Sequence, residues 1–326
     1  MKLVRGIWAH PRGKLGLVLC GLLFGSAALA DFIASDLPIA VRTGGATHWF
    51  PALTRPAALI GQSHQTLEPV AEWVLSAPIP FGPNQTYSDS GPLQGPAPWG
   101  PNREHLFGTD EVGRDVLARM VHGTRVSLFV GLTAMLIAVF IGLLLGTLAG
   151  WYGGWVDALI SRLTEVMLSF PTLFFFLAVL GLMRVSSLWP LVLVLGFTRW
   201  TDISRLVRAE VLRLRGLDFV AASRALGLSS LRVLLVHVVP NALGPVLVAA
   251  TFGVASAILI ESTLSFLGLG APGASWGELL TQAHRNLVHP AAWWLAVFPG
   301  LAIAGSVIAI HLLGEGLRSA LERRAG

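Results

Sequence analysis

The chain has 326 residues, of which 54% are hydrophobic and 13% are charged, and its mean hydropathy is +0.68. This composition excludes an ordinary soluble domain and indicates a polytopic membrane protein. The formal net charge of +5 is not accompanied by a basic groove interleaved with aromatic residues, so it gives no reason to expect nucleic-acid binding.

Six apolar stretches are long enough to cross a membrane, since a hydrocarbon core about 30 Å thick needs roughly 20 residues of helix. They show no period-two alternation, which argues against a closed β-barrel. The predicted fold is therefore an all-α polytopic membrane protein with six transmembrane helices. The predicted spans are residues 15–34, 126–150, 158–183, 188–207, 242–264 and 291–314. Pro171 interrupts the third span, and charged residues occupy the second half of the fourth.

Basic residues predict the orientation of these spans. They cluster before the first span, between the fourth and fifth, and after the sixth, which are regions that share one side of the membrane. The residues are Lys2, Arg5, Arg12, Lys14, Arg213, Arg215, Arg224, Arg232, Arg318, Arg323 and Arg324. The positive-inside rule assigns that side to the cytoplasm. We therefore expect a multi-pass membrane protein with both termini cytoplasmic.

The first span has two interpretations. Its basic start, apolar run and small-residue stretch Ala28-Leu29-Ala30 also describe a cleavable signal peptide. An uncleaved anchor is favoured, because it gives all the basic regions one orientation more simply. Cys20 is the single cysteine, so no disulfide is expected in the exported part of the chain.

A long polar segment separates the first two predicted spans. Eleven of the nineteen prolines lie between Pro38 and Pro101, which predicts turns, extended chain and short strands, with a small cap as one outcome. Near its end Asp110 can cap a helix that begins at Glu111. That helix would be either amphipathic and lie on the outer membrane surface, or a structural lead-in to the second span.

The expected domain organisation follows from these spans. Residues 1–34 form the cytoplasmic N-terminus and first helix, and residues 35–125 form the extracytoplasmic loop ending in the amphipathic helix. Residues 126–314 form a five-helix core that includes a cytoplasmic loop at 208–240, and residues 315–326 form a cytoplasmic tail. Within the second span, Gly142, Gly146 and Gly150 predict close helix packing inside the lipid.

Chemistry-bearing motifs are scarce. Lys2 and Lys14 are the two lysines of the chain, so a phosphate-binding loop that ends in Gly-Lys-Ser/Thr cannot occur. No HExxH or paired-cysteine motif is present, and we expect neither a metal site, nor a cofactor, nor catalytic residues. Glu165 and Glu261 are intramembrane acids and so candidates for an ion path. Alternatively, each pairs with a nearby arginine or caps a broken helix.

The most informative segment is the polar island at residues 218–241, DFVAASRALGLSSLRVLLVHVVPN. Asp218 is expected to cap a short helix that Gly227 ends in a left-handed conformation. Ser229 would cap a second helix, and Pro240 would occupy the first turn of the fifth span. Four residues of that second helix would form a membrane-facing stripe: Leu231, Leu234, Leu235 and Val238. Such a surface suits the docking of a partner protein.

The spacing of Ala221, Ala222, Ser223, Gly227 and Pro240 resembles the coupling loop of ABC importer permeases. The segments FGTDEVGRDVLARMVHGTRVSL, LIESTLSFLGLGAPGASWGELL, FPGLAI and HLLGEGLRSAL are similar to the dipeptide, oligopeptide and nickel subgroup, of the second-permease type. The resemblance covers about residues 106–323. The segment DFIASDLPIAVRTGG also resembles the oligopeptide and microcin C branch.

The resemblance implies an alternating-access permease that carries no catalytic residues. A second homologous permease subunit would complete the pathway, one or two types of ABC ATPase subunit would supply ATP and Mg²⁺ chemistry, and an extracytoplasmic binding protein would deliver peptides or related small solutes. The implied ATPase-coupling residues are Asp218, Ala221, Ala222, Ser223, Arg224, Gly227, His237 and Pro240. The candidates for contact with the binding protein are Gly108, Asp110, Gly113, Arg114, Asp115, Pro272 and Trp276.

The chain departs from the family pattern at three places. The family often has Glu at the position of Ala221 and Ala at the position of Ser223, and it tends to have two prolines where Gly273 follows Pro272 here. Loss of the acid at 221 would remove one charge-assisted contact to the ATPase. The rival class is an ion-coupled secondary transporter or channel that uses Glu165 and Glu261 and needs no ATPase.

Overall fold

The computed structural model describes residues 2–86, 97–183, 187–270, 273–286 and 292–325. Within these ranges the chain is mainly helical, with one small sheet. The helices are α1 Lys2–Trp8, α2 Pro11–Ala28, α3 Ala30–Ile33, α4 Pro51–Thr54, α5 His64–Leu67, α6 Val116–Tyr152, α7 Gly154–Ser169, α8 Thr172–Leu182, α9 Trp189–Arg215, α10 Asp218–Ala225, α11 Ser230–Val233, α12 Val239–Phe266, α13 Trp276–Arg285 and α14 Trp294–Ala325. The strands are β1 Ala40–Thr43, β2 Ala46–Trp49 and β3 Trp73–Leu75.

Length and hydropathy identify the helices that can cross a membrane. In the part of the chain that the structure describes, three qualify: Val116–Tyr152, Ser230–Phe266 and Trp294–Arg323. A fourth is obtained if α7 and α8 count as one broken span. The chain is therefore a membrane protein, as its composition predicts, while the count of six spans stays a prediction.

The third predicted span is broken. α7 ends at Ser169, Pro171 precedes α8, and the two helices meet at an angle of 80°. Proline cannot continue a helix that requires its N–H, and it pushes the preceding residue toward extended conformations. Phe170 accordingly has an extended backbone. The break lies where the sequence predicts the interruption.

The chain divides into two compact units, and the first consists of Met1–Cys20, Val130–Ile260 and Val307–Gly326. Glycines let α6 and α9 approach closely inside it. A Cβ on Gly142 would lie 2.6 Å from Ile203 Cβ, and one on Gly150 would lie 2.9 Å from the carbonyl oxygen of Arg208. A Cβ on Gly146 would lie closer still to the carbonyl oxygen of Ser204. The predicted packing role of the three glycines is confirmed.

The two ends of the chain also meet in the first unit. Ile7 is buried with Leu317 and Ala320, and a Cβ on Gly13 would lie 2.9 Å from the Cα of Gly316. The Arg12 guanidinium donates to the carboxylate of Glu315 at 3.1 Å. The N-terminal helices therefore pack along the C-terminal part of α14.

The second unit consists of Gly21–Phe129 and Glu261–Ser306. Its sheet has the order β2-β1-β3 with both pairs antiparallel. One face of the sheet contributes Val41 to a core with Leu37, Leu59 and Leu67. The short strands expected between the first two predicted spans are present, and residues 35–86 have a small hydrophobic core. We call residues 35–86 the cap; its extracytoplasmic location stays a prediction.

The prediction that a helix begins at Glu111 is wrong. The alternative, that this segment is a structural lead-in to the second span, is confirmed. Residues 109–115 form a turn in which Thr109 and Asp115 are bridged, and α6 begins at Val116 and continues to Tyr152 without interruption. The capping residue is Asp115, whose carboxylate accepts from the backbone N–H of Ala118 at 2.7 Å. Asp110 instead accepts the backbone N–H groups of Val112 and Arg114, so it stabilises the turn.

Candidate functional site

The polar island contains the two helices that its sequence predicts, joined at glycine. α10 spans Asp218–Ala225, and Gly227 has φ +79°. The N–H of Gly227 donates to the carbonyl of Arg224 at 2.9 Å, and the N–H of Leu228 donates to that of Ser223 at 3.2 Å. These two bonds form a Schellman motif, which satisfies the last carbonyls of the helix. The predicted left-handed role of Gly227 is confirmed.

The predicted caps of these helices need correction. Leu217 occupies the N-cap of α10, so Asp218 is the first helical residue and favours the helix through the dipole. Ser229 does occupy the N-cap of α11, but its side chain makes no capping hydrogen bond.

Pro240 lies near the start of α12, but the helix does not begin there. Ser230–Phe266 is one continuous helix of 37 residues, and residues Leu234–Val238 form a π-helical turn directly before the proline. The N–H of Val239 donates to the carbonyl of Leu234, five residues back. A wider turn here accommodates a residue that has no N–H and whose ring would clash with the preceding turn.

The stripe expected to face the membrane on this second helix is divided. Leu231 and Leu235 are exposed, whereas Leu234 and Val238 are buried in the chain. The π-helical turn adds a residue to the helix, so positions on either side of it no longer follow one helical face. The expectation of a single four-residue stripe is therefore wrong.

α10 presents nearly all of its surface outward. Val220 is its one buried residue. Phe219, Ala222 and Leu226 are exposed, and the Leu226 side chain is 82% exposed. Their spacing of three and four residues aligns them on one side of a helix. We call Phe219, Ala222 and Leu226 the docking stripe.

Some of the coupling residues predicted from the sequence lie on this exposed surface, and others contact residues of the same chain. Ala221 is exposed, while Ser223 donates to the carbonyl of Phe219 at 2.7 Å. The Arg224 guanidinium faces Trp151. His237 lies in the π-helical turn, and its carbonyl accepts the side-chain amide of Asn241 at 2.6 Å.

Trp151, near the end of α6, holds this segment in position, and the sequence did not single it out. Its indole N–H donates to the hydroxyl of Ser230 at 3.0 Å. Its carbonyl accepts from the Arg215 guanidinium at 2.9 Å, and the Arg224 guanidinium lies 4.9 Å from its ring centroid. This cation–π contact and two hydrogen bonds join the ends of α6 and α9 to both helices of the island. We call Trp151, Arg215, Arg224 and Ser230 the Trp151 clamp.

Ion pairs stabilise the end of α9 that leads into this segment. Arg208 forms a bidentate pair with Asp157 of α7, with Nη2 at 2.7 Å from the carboxylate. The Arg213 guanidinium donates to Glu210 at 2.6 and 3.1 Å, and this hydrogen bonding raises the pKa of Arg213 above its ordinary value. Both arginines therefore remain charged at any physiological pH.

Removal of the Trp151 ring should loosen the island. We expect Trp151→Ala to destabilise the protein by about 3–5 kcal/mol, because a buried tryptophan is lost. Trp151→Phe keeps a ring against Arg224 but loses the bond to Ser230, and should cost about 1 kcal/mol. Thermal unfolding in detergent measures both. Trp155, which is 75% exposed, is the matched control: Trp155→Ala should change stability by about 0.5 kcal/mol or less. An equal effect at both positions would contradict the clamp.

The residues named as candidates for contact with a binding protein lie in the second unit, where several are buried. Asp110, Asp115 and Trp276 are buried, and the Trp276 indole donates to the carbonyl of Met120 at 3.0 Å. Gly108 and Gly113 have φ +72° and +79°, so they shape turns. Arg114 is partly buried. Pro272 lies outside the described residues. The buried side chains organise this surface, and its contact with a partner stays a prediction.

A charge cluster organises the same region: Asp110 and Arg119 are buried, and Arg114 and Glu278 are partly exposed. The Arg119 side chain is fully buried and contacts the Glu278 carboxylate at 2.6 Å and Asp110 at 3.5 Å. Its guanidinium also donates to the carbonyl of Pro83 at 3.1 Å. Arg114 contacts Asp110 at 2.7 Å and Glu278 at 3.5 Å. The sequence gives no local signal for the pairing of Arg119 with Glu278, which lies 159 positions away.

Glu278→Ala should destabilise the second unit by about 3 kcal/mol, because the buried Arg119 charge loses its nearest partner. Adding Arg119→Met should recover part of this loss, since the unpaired charge is then removed. The midpoint of thermal unfolding measures the cycle, and Glu68→Ala at an exposed acid serves as control. If the double variant were as unstable as the sum of both single variants, the pair would not be coupled.

The two intramembrane acids have different environments. Glu165 forms an exposed pair with Arg162 at 2.9 Å, so its expected pairing with an arginine is confirmed. Glu261 is buried and accepts hydroxyl groups from Ser127 at 3.2 Å, Ser262 at 3.3 Å and Ser265 at 2.8 Å. The pairing expected for Glu261 is therefore wrong, because serine hydroxyls replace the arginine.

Comparison with known proteins identifies the class. Residues 142–326 match a family model that is described as "Binding-protein-dependent transport system inner membrane component". A putative peptide transport system permease protein of Brucella suis biovar 1 is 41% identical over 223 residues, which cover 68% of this chain and 74% of that protein. A dipeptide transport system permease protein of Alkalihalophilus pseudofirmus is 38% identical over 248 residues, or 74% and 79% of the two chains.

A solved structure of an amino acid ABC transporter with histidines is 20% identical, covers 64% of this chain and 94% of that chain, and has a TM-score of 0.48. This score is too low to support a conclusion about the fold.

The apolar helices and the exposed helix pair thus belong to a membrane transport component. The chain is a member of the binding-protein-dependent transport system inner membrane component family, and it is a permease subunit of an ABC importer. The resemblance stated from the sequence is confirmed.

Proposed function

We propose that this permease moves peptides, and that a cytoplasmic ABC ATPase docks on α10 to drive it. The substrate class is supported by the relatives, which are described as permeases for peptides and dipeptides. Docking is supported by the docking stripe, because an exposed apolar row on a short helix is the surface that a groove of a partner protein buries. This stripe is the observation that carries the proposal.

The coupling step moves the island as one piece. The Trp151 clamp fixes α10 and α11 to the ends of α6 and α9, so a displacement of α10 also moves them. The continuous helix Ser230–Phe266 is about 55 Å long at 1.5 Å per residue. Motion at α10 therefore reaches the depth of the membrane without a flexible joint.

The partner set has two further protein members. A second homologous permease forms the other half of the pathway, and an extracytoplasmic binding protein delivers the peptide to the surface around the charge cluster. ATP and Mg²⁺ bind to the ATPase subunits, and this chain contributes no catalytic residue. In the described ranges, no group of three or more His, Cys, Asp and Glu side chains is arranged to hold a metal ion.

The proposed topology has six spans, with both termini in the cytoplasm of a bacterial inner-membrane protein. It counts α2, α6, the broken pair α7 and α8, α9, α12 and α14. The contacts of Ile7 with Leu317 and of Arg12 with Glu315 support it, because helix ends that touch lie on one side of the membrane. The same contacts favour an uncleaved first helix, since cleavage would remove them.

Energy dependence tests the proposal. The permease is expressed with the second permease, the ATPases and the binding protein, and uptake of a radiolabelled dipeptide is followed in proteoliposomes. We expect uptake to require internal ATP and to survive an ionophore that collapses ion gradients. Uptake without ATP that disappears with the ion gradient would instead identify the ion-coupled transporter. Mass spectrometry of the ligand that co-purifies with the binding protein checks the substrate class separately.

A further inference from the structure

The sheet of the second unit has one covered face and one uncovered face. Val41 and Val74 face the core formed with Leu37, Leu59 and Leu67. In the observed register, Ala40 pairs with Trp49 and Leu75, and Arg42 pairs with Thr47 and Trp73. Because side chains alternate along a strand, these residues share the opposite face. Trp49, Trp73 and Leu75 are exposed on it, whereas the small residue Ala40, which lies between Trp49 and Leu75 in the register, is buried.

Aromatic side chains form a continuous cluster on this uncovered face. The rings of Trp49 and Trp73 lie 6.1 Å apart, and those of Trp49 and Phe50 lie 6.5 Å apart. Phe50 is also exposed and meets Phe32 edge-on at 5.6 Å. The backbone of Phe50 has φ +51°, a conformation that costs a residue with a side chain about 1–2 kcal/mol. We call Trp49, Trp73, Leu75 and Phe50 the aromatic face.

The contacts of residues next to Phe32 in the sequence indicate where the aromatic face lies relative to the membrane. Phe32 lies in α3, directly after α2. Arg125 of α6 pairs with Asp31 at 2.8 Å and donates to the carbonyls of Ala27 and Ala28. Arg125 is the last charged residue before the apolar part of α6, which begins at Val126. The Arg125–Asp31 pair thus marks the level at which the membrane helix leaves the hydrocarbon, and Phe32 extends the aromatic face to that level.

The composition of the face fits the boundary between lipid and water. Tryptophan is enriched where hydrocarbon meets headgroups, because its ring is apolar and its N–H needs a polar partner. Arg42 lies on the same face and forms an exposed pair with Glu72 at 2.9 Å. This pair carries no net charge, so the fit to the boundary rests on the two tryptophans.

We propose that the aromatic face is a membrane anchor, inserted into the headgroup region of the outer leaflet. It holds the cap of residues 35–86 against the bilayer beside the first helix. The occupant is lipid, because the face continues through Phe32 into the end of a helix at the membrane surface and carries two exposed tryptophans. The assignment to the outer leaflet rests on the proposed topology, whereas insertion of the face into a headgroup region needs only the membrane location of the chain.

Spin labels on the full-length protein test this anchor. Trp49→Cys and Trp73→Cys are made separately in a Cys20→Ser background, labelled, and reconstituted into vesicles of phosphatidylethanolamine and phosphatidylglycerol. Collisions are measured with oxygen, which concentrates in lipid, and with a water-soluble nickel chelate. Ile60→Cys is the matched control. Ile60 is exposed, and it follows Leu59, which packs in the core on the covered face of the sheet.

We expect labels at 49 and 73 to collide more with oxygen and less with the nickel chelate than the label at 60. The same ratio at all three positions would mean that the face lies in water, and would overturn the proposal. Low collision rates with both reagents would mean that protein covers it, with the same consequence. If the cysteine variants do not fold, Trp49→Phe and Trp73→Phe replace them, and quenching of tryptophan fluorescence by brominated lipid is measured. Each variant should show less quenching than the unmodified protein. Unchanged quenching would overturn the anchor.

Discussion

Gly227→Pro should abolish ATP-driven uptake while the protein still inserts into the membrane at its normal level. Proline fixes φ near −65°, whereas Gly227 has φ +79°. It also removes the N–H that donates to the carbonyl of Arg224 at 2.9 Å. The end of α10 must then unwind, and the docking stripe loses its fixed orientation. Uptake in proteoliposomes and immunoblotting of membranes measure the two quantities.

A matched pair of alanine variants isolates the backbone effect. Neither Gly227 nor Gly216 has a neighbour that would clash with a Cβ, but Gly216 has an ordinary φ of −85°. Gly227→Ala should therefore lower uptake, because the left-handed conformation costs about 1–2 kcal/mol with a side chain. Gly216→Ala should transport normally. Equal uptake by both variants would show that the left-handed turn is not needed for coupling.

Leu226→Asp should weaken association with the ATPase by at least about tenfold, which is about 1.4 kcal/mol. The side chain is 82% exposed, so the fold should be little affected, while a charge on the docking stripe would have to be desolvated in the interface. The measurement is the amount of ATPase that co-purifies with the permease in detergent, followed by titration.

Leu217→Asp makes the same chemical change outside the stripe. Leu217 is partly exposed and occupies the N-cap of α10, a position where aspartate is favourable. This variant should retain the ATPase. If both variants kept it, α10 would not be the docking surface; if both lost it, the stripe would not be the specific contact.

Much of this architecture follows from local sequence signals. The glycines of α6, the break at Pro171 and the left-handed Gly227 each act through the backbone within a few residues, so their effects are visible in sequence. The predicted helix at Glu111 failed because Asp110 and Asp115 are both good caps. Local preference does not decide between them, whereas the contacts of Asp110 with Arg114 and Arg119 do.

The contacts that sequence reasoning missed are long-range. Trp151 lies 79 positions from Ser230, and Arg119 lies 159 from Glu278, so neither pair leaves a periodic signal. The WYGGW run at residues 151–155 was the available clue, because a tryptophan followed by glycines at the end of an apolar helix suggests a fixed corner. Glu261 was misassigned because serine spacing alone does not indicate which hydroxyls meet a carboxylate.

The π-helical turn at Leu234–Val238 makes this segment respond unequally to a change in length. Its hydrogen bond from the N–H of Val239 to the carbonyl of Leu234 spans five residues, so the turn already absorbs one surplus residue. Deleting one residue of the turn would let the helix return to regular four-residue bonding, and α10 would keep nearly the same rotation relative to α12. An inserted residue would have no second wide turn to absorb it, and it would rotate α10 by about 100°, the rotation per residue. Every side chain of the docking stripe would remain but would point away from its partner. Shortening this turn by one residue should therefore be tolerated more readily than lengthening it.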